Sequence, residues 1–114
     1  MRWWMIVALG LLVLVVSGCL FGLSGDVSPA KARELVGQGA TLLDVRSAEE
    51  FAGGHIEGAI NVPVGELAGR ASEIPKDKAV VVYCRSGMRS ARAKGTLEEA
   101  GFKEVYDLGA MSRW

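Results

Sequence analysis

The chain has 114 residues, is half apolar, and carries 15 glycines, three prolines and two cysteines. Its 13 basic residues balance 13 acidic ones, so it lacks the basic excess of a nucleic-acid binder. The length suits one domain rather than two, and the composition is that of a globular chain, not a disordered one.

The apolar residues are unevenly spread. No charge occurs from Met5 to Leu23, whereas charges are frequent from Asp26 onward. The chain therefore divides into an apolar leader and a water-soluble body. Arg2 precedes Trp3 and Trp4, residues suited to a headgroup interface. Met5–Val16 is then an apolar run of signal-peptide length, ending in Val16-Ser17-Gly18-Cys19. That ending resembles the lipobox of bacterial lipoproteins. The resemblance implies cleavage before Cys19, a diacylglycerol on its thiol, and acylation of the new amino group. Several acyl chains on one residue hold stably where one does not. Met5–Leu23 is also close to the ~20 residues of a spanning helix, so an uncleaved anchor is the alternative. Both readings tether the body to a membrane. Both place it outside the cytoplasm, in the periplasm or at the surface of a bacterium. The organisation expected is a signal peptide or anchor over 1–18, a tether over 19–26, and one domain over 27–114. If Cys19 is acylated, Cys84 has no intrachain disulfide partner, the mark of a reactive thiol or an intermolecular bond.

In the body, Ser24-Gly25-Asp26 reads as a flexible tether. Ser28-Pro29 opens a helix with an N-cap and a first-turn proline, and Gly37 and Gly39 stop it. Thr41–Val45 reads as a buried strand. Ser47–Phe51 reads as a short helix with a serine cap and glutamates in its first turn. Ala59–Val62 is a second short strand, and Val64–Ile74 a helix stopped by Pro75. Ala79–Tyr83 is the strongest strand signal. Its unbroken β-formers suit a strand buried on both faces. Ser90–Ala100 is a helix ended by Gly101, and Val105–Asp107 a last strand before Gly109-Ala110. Alternating strands and helices give an α/β class with a mostly parallel sheet. Ligands of such sheets sit beyond the carboxyl ends of the strands, where Cys84 and Asp44-Val45-Arg46 fall.

Cys84-Arg85-Ser86-Gly87-Met88-Arg89-Ser90 joins the best strand to the best helix. Gly87 permits a tight turn, and the N–H groups of such a turn converge into an anion nest. A thiol facing that nest between two arginines loses its proton more readily. The same nest suits a persulfide anion, and the forks of Arg85 and Arg89 suit an anionic sulfur donor. Two cations at a helix start are unfavourable without an anion to bind. Met88 reads as packing or a loop filler.

This loop resembles the active-site loop of rhodanese-like sulfurtransferases. The likeness extends over about residues 27–114. It includes Leu43-Asp44-Val45-Arg46, Glu49-Glu50-Phe51, Gly54-His55-Ile56-Glu57-Gly58-Ala59-Ile60-Asn61-Val62-Pro63, and Gly109-Ala110-Met111 up to Trp114, with Ala110 where a second glycine is common. The resemblance implies a rhodanese-like α/β fold, a sheet of about five mostly parallel strands with helices on both faces. It implies Cys84 as the nucleophile and residues Arg85, Ser86, Gly87, Met88 and Arg89 as the persulfide-binding loop. Sulfane sulfur would pass from a small anionic donor such as thiosulfate, through a Cys84 persulfide, to a thiol, a protein thiol or cyanide. No metal or organic cofactor is implied. Phosphatases that share this fold place five residues between cysteine and arginine. Here four separate Cys84 from Arg89, the tighter loop of the sulfur enzymes. His55 belongs to a motif that stabilises a loop. Asp44 and Arg46 read as a buried pair, with Arg46 as a possible pocket residue. The alternative function is a persulfide carrier, docking or thiol-redox module with little turnover on small donors.

Overall fold

A computed structural model describes residues 25–114. The expected leader, the candidate lipid site Cys19 and Ser24 lie outside the described residues. Among the described residues no helix is long and apolar enough to cross a membrane.

The sheet has four parallel strands in the order β2-β1-β3-β4. They are β1 (Thr41–Asp44), β2 (Ile60–Asn61), β3 (Val80–Cys84) and β4 (Val105–Ala110). The helices are α1 (Pro29–Gly37), α2 (Ala48–Ala52), α3 (Leu67–Arg70) and α4 (Met88–Glu99). The caps form as their sequences dictate. The Ser28 hydroxyl accepts from the Lys31 N–H at 3.1 Å. Ser47 and Glu50 close a reciprocal capping box at the start of α2.

β3 is buried along its whole length, and its alternation sorts the core. Val80, Val82 and Cys84 lie in one cluster with Leu43, Leu67, Ala93, Leu97 and Val105, beneath α3 and α4. Val81 and Tyr83 lie in the other with Ala32, Leu42, Ile56 and Leu108, beneath α1. Helices therefore cover both faces, as expected. Cys84 is thereby committed to the α4 face.

Several elements differ from expectation. The place of a fifth strand, beside β4, is taken by Asp26 and Val27. The Asp26 N–H donates to the Asp107 carbonyl at 2.8 Å, and the Asp107 N–H donates to the Asp26 carboxylate at 2.8 Å. A side chain supplies the return bond, so no strand ladder develops. Lys94 also pairs with that carboxylate. Gly25-Asp26 is thus docked on the sheet rather than free tether. Val64–Ile74 breaks into a 3-10 turn (Val64–Glu66), α3, and another 3-10 turn (Ala71–Glu73). Gly65 and Gly69 each weaken a continuous helix by about 1 kcal/mol. β4 runs past Asp107 to Ala110 through a bulge that leaves Leu108 without an opposite residue on β3. The Asp107 carboxylate accepts the Gly109 N–H at 2.8 Å, and Gly109 takes φ 86°. Ala110 has φ −73°, so alanine is unstrained where a second glycine is common.

Beyond β1 the chain is fixed by a buried ion pair. Arg46 Nη2 lies 2.7 Å from Asp44 Oδ2, Nε bonds both carboxylate oxygens at 3.1 Å, and the Arg46 N–H donates to Oδ1 at 2.9 Å. Arg46 also donates to the Gly54 carbonyl at 2.7 Å, tying down the loop after α2. The Asn61 amide donates to the carbonyls of Asp44 and Arg46, both at 3.0 Å. The Tyr83 hydroxyl accepts the Ile56 N–H at 3.2 Å. Burial, then its hydrogen bond to Asp44, push the Tyr83 phenol up to about 12, so it stays protonated at neutral pH. Asp44→Ala leaves the Arg46 charge buried without its partner and is expected to lower unfolding stability by about 3–5 kcal/mol. Urea denaturation checks this; an unchanged midpoint would mean the pair does not hold the loops.

Candidate active site

Cys84 ends β3 with its residue wholly buried. Its sulfur faces the turn that follows. Gly87 takes φ 105°, a conformation that glycine adopts without strain, at the N-cap of α4. This turns the Gly87 N–H onto Sγ at 3.0 Å, while the Ser90 N–H reaches the same sulfur at 3.3 Å. Two N–H groups of the turn therefore converge on the thiol itself.

Two influences on the thiol oppose each other. Burial pushes its pKa up. Hydrogen bonds from the Ser90 side chain and from the N–H groups of Ser90, Gly87 and Ser86 pull it down and prevail, leaving the thiol below its ordinary range. Each donor favours the thiolate, because only the anion accepts them strongly.

The two arginines of the loop are not equivalent. Arg89 donates to both oxygens of Glu50, at 2.6 and 3.0 Å. Arg85 is exposed and makes no hydrogen bond or ion pair among the described residues. Beside it opens a cleft of about 690 Å³ bordered by Arg46, Glu50, Gly54, Arg85, Met111 and Ser112. Loops after β1, β3 and β4 thus meet at the carboxyl end of the sheet, as the fold class requires. Arg46 borders this cleft while engaged with Asp44. Arg89 does not border it; its partner Glu50 does. Arg89 is tied to α2 through Glu50 while more than a third of its side chain stays exposed. Met88 is 73% exposed and packs into neither core cluster. His55 stacks on Phe51 with ring centroids 3.7 Å apart, and its Nδ1 lies 2.9 Å from the Phe51 carbonyl, a loop-stabilising placement.

Sequence alone gives three residues of this end of the sheet no role at the site: Glu50 reads as a helix-start acid within a family-like segment, and Ser90 as the junction of loop and helix. Asp107 is buried on β4 on the α4 face; burial raises its pKa, and its hydrogen bond with the Ser90 side chain counts among the opposing influences. An acid within a strand is unusual enough to have flagged it. The Ser90 hydroxyl donates to the Gly87 carbonyl at 3.1 Å and so braces the turn that faces the thiol. Ser90→Ala removes one of the influences that favour the thiolate, so thiolate formation is expected to move to higher pH. Ultraviolet titration of the thiolate checks this. An unmoved midpoint would assign the lowering to the backbone alone.

The rhodanese-like domain model matches residues 28–114. The Bacillus subtilis protein YqhL is 47% identical over 76 residues, 66% of this chain and 60% of its own. The Escherichia coli thiosulfate sulfurtransferase PspE is 39% identical over 71 residues, 60% of this chain and 68% of its own. The chain thus spans about two thirds or less of the length of these relatives. The solved structure of the human single-domain sulfurtransferase TSTD1 superposes with a TM-score of 0.66 and 29% identity, covering 77% of this chain and 89% of that one. With the parallel α/β sheet, the tight loop after β3 and a domain match over the whole described body but its first three residues, the chain belongs to the rhodanese-like family.

Proposed function

We propose that Cys84 carries sulfane sulfur as a persulfide, and that the protein moves it from a small anionic donor such as thiosulfate to a thiol, a protein thiol or cyanide. The supporting observation is the pair of N–H groups, from Gly87 and Ser90, aimed at Sγ in a buried turn. The thiolate attacks the outer sulfur of the donor. One S–S bond forms at Sγ, and the donor's S–S bond breaks with its electron pair leaving on sulfite. The persulfide is then an anion in a site built from N–H donors. Attack by the acceptor on the outer sulfur returns the Cys84 thiolate. Each step breaks one S–S bond and forms one bond from the outer sulfur to the incoming nucleophile, an S–S bond with a thiol or a C–S bond with cyanide, so the reading calls for no metal or organic cofactor.

Complete burial of Cys84 favours a second reading, a persulfide carrier that turns over slowly on small donors. One experiment separates the two. The full chain, in neutral detergent, is treated with thiosulfate and its intact mass followed, alongside Cys84→Ser. A gain of one sulfur atom, reversed by cyanide and absent from the variant, is expected. Rapid multiple turnover supports the enzyme, and stable loading with little turnover supports the carrier. No gain from thiosulfate or another sulfane donor sinks both.

We also infer that Cys19 is the lipid-bearing residue of a bacterial, extracytoplasmic protein, supported by Val16-Ser17-Gly18-Cys19. Feeding cells an alkyne-tagged fatty acid is expected to label the protein, and Cys19→Ser to abolish labelling. Equal labelling of the variant would refute the lipid site.

A further inference from the structure

We propose that Glu50 is a specificity-determining residue that makes the cleft bordered by Arg85, the residue after Cys84, prefer monoanionic sulfur donors, persulfides and thiosulfonates carrying an organic group, over dianionic thiosulfate. This rests on the persulfide reading and names its substrate class.

Charge in the cleft is the first ground. Three arginines lie near the thiol, but two are already neutralised. Arg46 is bound by the Asp44 carboxylate and Arg89 by the Glu50 carboxylate. Arg85 remains as the cation without a protein partner among the described residues. A single free positive charge matches one negative charge better than two.

Position is the second ground. Glu50 borders the cleft together with Arg85, so an anion held by Arg85 lies in the field of the Glu50 carboxylate. The carboxylate cannot readily swing away. Oε1 accepts the Ser47 N–H at 3.1 Å and both oxygens are held by Arg89. Its hydrogen bond with Arg89, followed by that with the Ser47 N–H, lowers its pKa to about 2, so it stays charged at any pH where the thiolate forms.

Shape is the third ground. The cleft is open, and Met111 lines it. A flexible thioether side chain accommodates apolar groups of varied form. A thiosulfonate or persulfide brings such a group, and thiosulfate does not.

The chemistry balances for the monoanion. The Cys84 thiolate bonds to the outer sulfur of R–SO2–S⁻, the donor S–S bond breaks, and its electron pair leaves on the sulfinate R–SO2⁻. No proton moves and no further oxidant is needed.

The test compares methanethiosulfonate with thiosulfate, using cyanide as acceptor and the full chain in neutral detergent. The wild type is expected to show the higher kcat/KM for methanethiosulfonate. Glu50→Gln keeps one oxygen to accept from the Ser47 N–H and one arm of Arg89, while removing the charge and the second Arg89 bond. It is expected to raise kcat/KM for thiosulfate on the order of tenfold, mainly through KM, and that for methanethiosulfonate by clearly less. A structural role alone would lower both donors together without moving their ratio. Equal use of the two donors by the wild type overturns the proposal even if the variant misfolds. So does an unchanged ratio in a folded variant. In either case sulfur loading of Cys84 would stand. Loading by neither donor would instead overturn the persulfide reading, and this inference with it.

Discussion

The arrangement of the molecule depends on β3 being buried on both faces. A strand in that position has no solvent side, so each residue must match one helical layer or the other. Val80 and Val82 go to the α4 layer, and Val81 and Tyr83 go to the α1 layer. Period-two alternation then leaves Cys84 no choice of face. It emerges under the first turn of α4, where the N–H groups of Gly87 and Ser90 have no carbonyl partner within the helix. Shifting the strand by one residue would send the sulfur to the α1 layer, away from every donor that now surrounds it. The chemistry of the thiol is thus a consequence of sheet register before it is a consequence of the loop.

Around that thiol the charges are arranged in pairs, and the pairs do structural work as well as electrostatic work. Asp44 and Arg46 occupy the end of β1 and hold Gly54 and Asn61 in place. Glu50 serves two tasks with one carboxylate, closing the start of α2 and engaging Arg89 across the cleft edge. Buried polar groups of this kind are tolerated because they are satisfied. Among the described residues no buried side-chain nitrogen or oxygen lacks a hydrogen-bond partner. The loops at the carboxyl end of the sheet are therefore held by directional contacts, where helices and strands are held by apolar packing.

Much of this was legible in the sequence, for identifiable reasons. β3 announced itself through consecutive β-formers. The starts of α1 and α2 were given by Ser28-Pro29 and by Ser47 with Glu50. The loop after β3 was visible because cysteine, glycine and two arginines fell where a strand gives way to a helix. Other features depend on partners distant in the chain. Glu50 and Arg89 are 39 residues apart, and nothing local distinguishes Arg89 from Arg85. Asp26 supplies a side-chain bond to Asp107, 81 residues away, so a segment resembling a tether became part of the sheet edge. β4 outran its expected end because Gly109 looks like a breaker but serves as part of a bulge. The segment from Val64 to Ile74 has the turn signals and the apolar spacing of a helix at once, and tertiary packing resolved it into three short pieces.

The two edges of the sheet are closed in different ways. β2 has only two residues, with Ile60 turned partly to solvent. β4 has both main-chain groups of Asp107 engaged by Asp26, and its Gly109 N–H is taken by the Asp107 carboxylate. An extended peptide seeking to join the ladder finds one edge too short to grip and the other capped at its centre. Recognition of another macromolecule by strand addition is thereby disfavoured, as is polymerisation of the domain through its own sheet. The Cys84 sulfur, by contrast, lies at the carboxyl end of the sheet, where the loops after β1, β3 and β4 meet.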